Sequence, residues 1–215
     1  MSSRRAAPSP RARRSRLGEP LPASFYNRET EIVARELLGQ ILVHETEEGI
    51  TSGRIVETEA YLGEHDPACH AAAGYTQRTK WLYGPPGTAY VYFIYGVHWC
   101  FNAVTREEGL PSAVLVRALE PIDGIELMRR RRPQAKTDRD LTNGPGKLCQ
   151  ALGITGENNG LDLFQSPLRV VRGTMLADED VAISSRIGIT KAAGWPLRWH
   201  SRSNRYVSRG GADQS

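Results

Sequence analysis

Apolar residues recur along this chain in two rhythms, both in short runs. Ile32, Val33, Leu37 and Leu38 fall near one face of a 3.6-residue repeat, which predicts a helix. Asn27 is placed to cap it, Glu29 and Glu31 suit its first turn, and Gly39 is a natural stop. The rhythm then changes. Residues 40–44 and 54–61 read as strands of a hairpin across the acidic turn Glu47-Glu48-Gly49. Residues 90–95 and 98–104 are aromatic and β-branched and are separated by Gly96 and Val97. They predict a second hairpin with Tyr95 and Gly96 at or near its tip. Residues 112–119 form a further strand. A short helix over 124–132 ends in Arg129-Arg130-Arg131-Arg132 and stops at Pro133; cations suit a helix C-terminus, so this run reads as a solvated helix end. Another helix over 147–152 is entered from Asn143-Gly144-Pro145-Gly146, and strands are expected at 168–172, 182–189 and 197–201. There is no internal repeat and no βαβ alternation. Strands joined mostly by turns predict an α+β fold: one mixed domain on a curved antiparallel sheet with peripheral helices.

Composition narrows this picture without redirecting it. The 215 residues are 40% hydrophobic and 24% charged, which excludes a chain disordered throughout. No apolar run approaches the roughly 18–20 residues of a membrane span. Cys69, Cys100 and Cys149 are few, odd in number and widely spaced, so a disulfide framework or zinc ribbon is not expected; buried thiols are. Charge is distributed unevenly. Arg4, Arg5, Arg11, Arg13, Arg14 and Arg16 precede Gly18 with no acid among them, and taking those six from the net +4 leaves −2 for the rest. The expected organisation is a disordered basic arm over 1–18, a domain over 19–205 and a frayed tail over 206–215. The arm lacks the apolar stretch of a secretory signal. It reads either as a solvated tail or as a weak nucleic-acid-binding arm.

Three constellations carry candidate chemistry. Glu57, Glu59 and Tyr61 share one face of a strand, because side chains alternate. With His65, Asp66 and His70 nearby, three readings compete: an exposed charged edge, a metal site from Glu59, His65, Asp66 and His70, or a carboxylate general base beside aromatic groups. The metal spacing matches no standard zinc pattern. The second constellation is Tyr90, Tyr92 and Tyr95 with His98, Trp99 and Asn102. It reads either as an aromatic strand packed on a sheet or as a nucleic-acid site, where rings stack bases and a side chain at a hairpin tip wedges into a duplex. The third, Asn143-Gly144-Pro145-Gly146-Lys147, is a plain helix entry or a phosphate contact, and it is not a Walker A.

Four segments in order resemble the alkyladenine (3-methyladenine) DNA glycosylase family: residues 53–63 with Glu57-Thr58-Glu59-Ala60-Tyr61, 86–96 with Tyr92-Phe93-Ile94-Tyr95-Gly96, 116–121 with Arg117, and 144–152 with Gly144-Pro145-Gly146-Lys147. The resemblance runs from about residue 24 to about residue 200. It implies a base-excision repair enzyme that flips alkylated or deaminated purines (3-methyladenine, hypoxanthine, ethenoadenine) out of duplex DNA. The N-glycosidic bond is then hydrolysed without a cofactor, a metal or a covalent lysine intermediate. By this resemblance Glu59 is the base that activates water, and Arg117 orders it. Tyr61, His70 and Tyr92 wall the base pocket, and Asn102 disfavours guanine. Tyr95, with Gly96 beside it, is the wedge, while Thr76, Arg78 and Lys147 line the DNA or the pocket. Thr79 stands where the family usually carries Asn. The implied partner is double-stranded DNA holding a damaged purine, met by a monomer away from any membrane. The implied compartment is the nucleoid of a bacterium or the nucleus of a eukaryote. Two rival readings remain: a non-catalytic damaged-base or nucleic-acid binding module, and a metal hydrolase.

Overall fold

The computed structural model describes residues 18–208. The expected basic arm before Gly18 and the tail from 209 onward lie outside the described residues.

Eight strands form one antiparallel sheet: β1 (Ile41–Thr46), β2 (Gly49–Tyr61), β3 (Ala89–Ile94), β4 (His98–Thr105), β5 (Ser112–Asp123), β6 (Leu168–Val171), β7 (Val181–Ser184) and β8 (Arg198–Ser201). The main path is β3-β4-β5-β2-β1-β6, and β8 pairs with β2 and β7. β3 and β6 have one partner each along that path, so the sheet does not close into a barrel. Among the described residues five α-helices accompany it: α1 (Ala23–Tyr26), α2 (Thr30–Leu37), α3 (Ile125–Arg131), α4 (Asp138–Thr142) and α5 (Pro145–Leu152). This is the mixed α+β domain that the pattern predicts. None of the helices among the described residues is long and apolar enough to cross a membrane.

β2 and β5 run through the centre. β5 is buried from Ser112 to Leu119, and β2 is almost wholly buried from Thr51 to Ala60. The first half of β2 lies between β5 and β1, its second half between β5 and β8. Apolar side chains from these strands pack with Val33, Ala34 and Leu37 of α2 and Leu148, Ala151 and Leu152 of α5 in one core.

Several boundaries differ from expectation, each for a physical reason. Asn27 caps the C-terminus of the extra helix α1, while Glu29 precedes α2. The buried stripe of α2 is Thr30, Val33, Ala34 and Leu37, which turns Ile32 to solvent. Gly39 does sit at positive φ just past the helix, where a Cβ would fall 1.9 Å from the Thr174 carbonyl. The first hairpin is tighter than read, since Thr46 pairs with Gly49 across Glu47-Glu48 alone. α4 was not anticipated, although Thr137 and Asp140 bear the spacing of a capping box and the Asp140 carboxylate accepts the Thr137 N–H at 3.0 Å.

The arginine run is not wholly solvated. Arg131 pairs with Glu48, and Arg132 is buried. The strand expected over 182–189 ends at Ser184, because Arg186 turns inward to a buried acid. Residues 206–208, assigned to the tail, are packed: Tyr206 lies with Val56 and Ala118, and Ser208 donates from its N–H and its hydroxyl to Glu57 at 2.7 and 2.8 Å.

Candidate active site

Glu57, Glu59 and Tyr61 do share a face of β2, but it is an inner face. Both carboxylates have no exposed surface, which overturns the reading of an exposed charged edge. The ladder between β2 and β5 shifts register on either side of Glu57. Glu57 lies opposite Ala118 and Thr58 opposite Val116, leaving Arg117 as the extra residue. A bulge re-aims the side chain it carries. The guanidinium of Arg117 accordingly reaches both acids, with Nε 3.0 Å from Glu57 and Nη1 3.2 Å from Glu59.

The two acids are held differently. Glu57 also accepts from Arg198 Nε at 2.7 Å and from Ser208. Burial alone would raise its pKa, and the two guanidiniums more than offset this, so it stays below the usual range. Glu59 takes the Ile187 N–H at 2.7 Å on Oε1 and the Tyr61 hydroxyl at 2.9 Å on Oε2. For Glu59 burial wins over Arg117 and these donors, and its pKa is raised. Glu59 is thus a buried carboxylate made more basic than an ordinary glutamate. On Oε2, Tyr61 is its one partner among the described residues.

Tyr61 and Ile187, the two donors to Glu59, and its ion-pair partner Arg117 all line a cavity of about 500 Å³. His70, Tyr90, Tyr92 and Asn102 line it too. His70 Nδ1 lies 2.9 Å from the Tyr90 hydroxyl, and its ring meets that of Tyr92 edge-on at 4.5 Å. Burial, with a smaller contribution from Arg78, pushes the His70 pKa down to about 4, so the ring is neutral near pH 7. Asn102 sits opposite Tyr90 in the β3–β4 ladder and donates to its carbonyl at 3.0 Å, which fixes the amide. Cys69 and Cys100 also border the cavity, where burial raises both thiol pKa values; Cys149 lies in the core. All three are free and buried.

The rim is built from three segments. In the β3–β4 hairpin, Ile94 pairs with His98, so the tip is Tyr95-Gly96-Val97, one residue longer than read. Tyr95 and Gly96 both have positive φ, 54° and 70°. A tyrosine in that region is strained, and here its side chain is 81% exposed. The N-terminus of α5 forms the second segment. Lys147 Nζ is 2.8 Å from Asn143 Oδ1, and burial, then Arg132, lowers its pKa. Gly146 lets the helix abut the hairpin, since a Cβ there would lie 2.8 Å from the His98 ring. The third is the loop over 74–79. Arg78 lies 5.8 Å over the Tyr92 ring, while the Thr76 hydroxyl is engaged within the loop by Thr79, and neither residue lines the cavity itself. Thr79 is buried and closes the loop, accepting the Thr76 N–H at 2.8 Å and donating to the Gly74 carbonyl at 2.9 Å.

The structure therefore gathers Tyr61, His70, Tyr92, Tyr95, Asn102, Arg117 and Lys147 around one cavity, with Gly96 next to Tyr95 at the hairpin tip and Glu59 buried directly behind the walls Tyr61, Arg117 and Ile187. It does not gather the metal set. His65 is exposed, Asp66 is spent on Arg186, and His70 bonds Tyr90. No three acid, His or Cys side chains among the described residues form a ligand group. Sequence reasoning missed Arg186, Ile187 and Arg198. Ile187 acts through its backbone, which leaves no mark in residue type. For the other two the available signal was an arginine between apolar neighbours: Arg186 near Ile183 and Ile187, and Arg198 between Leu197 and Trp199.

The family model described as methylpurine-DNA glycosylase matches residues 24–205. Relatives bearing 3-methyladenine DNA glycosylase as a provisional name include one from Methanoculleus marisnigri, 52% identical over 192 residues and covering 88% of this chain and 98% of its own. Another, from Salinibacter ruber, is 53% identical over 203 residues with 88% and 97% covered. A third, from Carboxydothermus hydrogenoformans, is 46% identical over 190 residues with 88% and 98% covered.

Proposed function

The chain belongs to the methylpurine-DNA glycosylase family, and from that premise we propose that it extrudes a damaged purine from duplex DNA into the cavity beside Glu59 and hydrolyses its N-glycosidic bond. The observation that carries this is the placement of a buried, basic carboxylate whose two donors and paired guanidinium are themselves cavity walls.

Extruding a base costs a few kcal/mol, less when the base is damaged or mispaired. Tyr95 is exposed at a tip narrow enough to enter the vacated stack and offset that cost. Tyr61 and Tyr92 present rings to the base, and a cationic alkylated purine gains from electron-rich faces. The Asn102 amide, fixed by Tyr90, faces the base edge and disfavours guanine. Lys147 and Arg78 at the rim suit backbone phosphates, and Thr76 on the same loop suits the flanking strand. A hairpin that approaches from one side works as a monomer.

In the chemical step, the bond from C1′ to the purine nitrogen breaks and its electron pair leaves with the base. Water adds to C1′ as its proton passes to Glu59. A 3-methylated adenine, already cationic, leaves as a neutral molecule without a proton from the protein. His70 is neutral at pH 7 and is no acid for this step. Arg117 holds Glu59 from one side, so little reorganisation accompanies the developing positive charge on the sugar.

The test is excision from duplex DNA carrying 3-methyladenine or hypoxanthine, with a chelator present. Glu59→Gln should bind the duplex as wild type does and lose roughly 10²–10⁴-fold in rate, the usual worth of a general base. Retention of the rate would remove Glu59 from the mechanism. Tight binding of the lesion duplex without any product from wild type would favour a damage sensor instead.

A further inference from the structure

Behind the cavity walls lies a second buried charge pair that is not itself part of the lining. Arg186 and Asp66 have side chains with no exposed surface. Arg186 Nη2 lies 2.8 Å from Asp66 Oδ1 and its Nη1 contacts Oδ2, a bidentate fork. The pair ties together three pieces of the site. Asp66 also accepts the Leu62 N–H at 3.1 Å and the Ala68 N–H at 3.0 Å, which anchors the loop leading to His70. Arg186 donates to the Ala60 carbonyl at 3.0 Å, between Glu59 and Tyr61 on β2. Its guanidinium lies 4.6 Å over the Tyr61 ring, whose hydroxyl holds Glu59. The next residue, Ile187, sends its N–H to Glu59.

This arrangement is expensive as packing. A buried ion pair is a weak source of stability compared with well-packed apolar side chains. Arg186 Nε is in addition buried with no partner among the described residues. An arrangement selected for stability alone would not retain that unpaired donor. Two of the three groups that hold Glu59 are nevertheless set by Arg186: the Tyr61 ring under its guanidinium and the Ile187 N–H one residue on.

We propose that the Asp66–Arg186 pair is a positioning device that fixes the orientation of the Glu59 carboxylate. The proposal rests on the reading of Glu59 as the base. Arg186 and Asp66 are positioning residues, acting through Tyr61 and the backbone of Ile187.

The variant that separates positioning from charge is Arg186→Lys. It keeps the cation but loses the fork and the flat face. The groups facing Glu59 are Arg117 from β5, Cys100 from β4, Tyr92 from β3, Tyr61 and Glu57 on β2, and Arg186. Only the last is altered, and its charge remains. Any change in Glu59 titration therefore reports the Ile187 and Tyr61 hydrogen bonds. Those bonds favour the ionised carboxylate, so weakening them raises its pKa.

The experiment uses the full chain and methylated duplex DNA, with release of 3-methyladenine followed in single turnover from pH 5 to 9. Affinity is read on a duplex with an abasic-site analogue. Arg186→Lys should lose about tenfold or more in rate with affinity unchanged, as a misplaced catalytic group does. The acid limb of its pH profile should move to higher pH. Asp66→Asn should lose rate in the same way, and the double variant should be no slower than the slower single variant. A wild-type rate for Arg186→Lys overturns the proposal, as does a lower rate with an unmoved acid limb. Should Arg186→Lys fail to fold, Asp66→Asn decides by its split between rate and affinity. Failure of both to fold marks the pair as a stability element and also overturns it. Glu59→Gln runs alongside: if it retains activity, the base assignment itself fails, whereas an inactive Glu59→Gln beside a fully active Arg186→Lys removes the positioning role alone.

Discussion

Replacing Arg117 with Met removes the guanidinium shared by Glu57 and Glu59 while keeping much of its apolar volume. Glu57 retains Arg198 at 2.7 Å and both donors of Ser208. Glu59 retains only the Ile187 N–H and the Tyr61 hydroxyl, so it bears most of the loss. A buried carboxyl cannot cost more than its own neutralisation, since the folded protein can take up a proton. From an ordinary value of 4.5, at about 1.4 kcal/mol per pH unit, that ceiling is roughly 3.4 kcal/mol at pH 7 and about 0.7 kcal/mol at pH 5. The sign follows from proton counting. The folded variant holds a proton on Glu59 in a range where the unfolded chain has released it, so stability falls as pH rises through that range. Wild-type Glu59 is itself raised and already carries part of this cost, so the deficit against wild type should grow by less than about 2.7 kcal/mol between pH 5 and pH 7. For a chain of this size that is a further drop in Tm of at most roughly 5–11 °C. Thermal unfolding of both proteins at the two pH values measures it. A deficit that stays constant, or shrinks, as pH rises would show that Arg117 does not compensate the Glu59 charge.

Other outcomes follow from single features of the site. Tyr95→Gly should leave Tm unchanged or raise it, because a left-handed residue with a side chain costs about 1–2 kcal/mol, while single-turnover excision falls; a lower Tm with normal excision would contradict both roles of the tip. The His70 ring, with its pKa pushed down to about 4 by burial, should show no NMR inflection between pH 5 and 8. Its contribution to stability is complete above the ordinary 6.5 and declines as pH falls toward 4, because the unfolded chain takes the proton first. Gly146→Ala would gain about 1 kcal/mol in an ordinary helix interior. Here its Cβ meets the His98 ring at 2.8 Å, so the variant should melt lower and excise more slowly, and a stabilised, fully active variant would refute the contact.

How much of this was legible depended on how local each cause is. Hairpins written in alternation, and a helix stop written as Gly39, are decided by neighbours in sequence, and they were readable to within a few residues. Glu57 and Glu59 were visible as a pair, but their burial was not. It depends on Arg117, about sixty positions away in the chain, and on Arg198 and Ser208, still further off. The truncation of β7 had no local sign either. Residues 182–189 have good strand propensity, and only the pairing of Arg186 with Asp66 draws the segment off the sheet. Likewise, four arginines at a helix end look alike in sequence, yet Arg132 is buried at the cavity while Arg129 reaches solvent. The resemblance to a known family supplied roles for individual residues. It did not supply the hydrogen bonds that hold them.

The centre of the sheet also raises a question of energy. β2, β5 and β8 place four charged groups, Glu57, Glu59, Arg117 and Arg198, where apolar residues of similar volume would ordinarily be more stabilising. The asymmetry within that cluster shows what it achieves. Glu57 accepts from both guanidiniums and from Ser208, which leaves it depressed in pKa and inert. By taking much of the Arg117 fork, it limits what Arg117 offers Glu59. Glu59, whose pKa burial raises, keeps one oxygen with a single donor, which on the proposed reading leaves it free to accept a proton from water. Had Arg117 faced Glu59 alone, the stronger pairing would have made Glu59 a weaker base. On the proposed reading of Glu59 as the base, the second carboxylate tunes the first, and the bulge that exposes Arg117 to both is the backbone feature that makes the sharing possible.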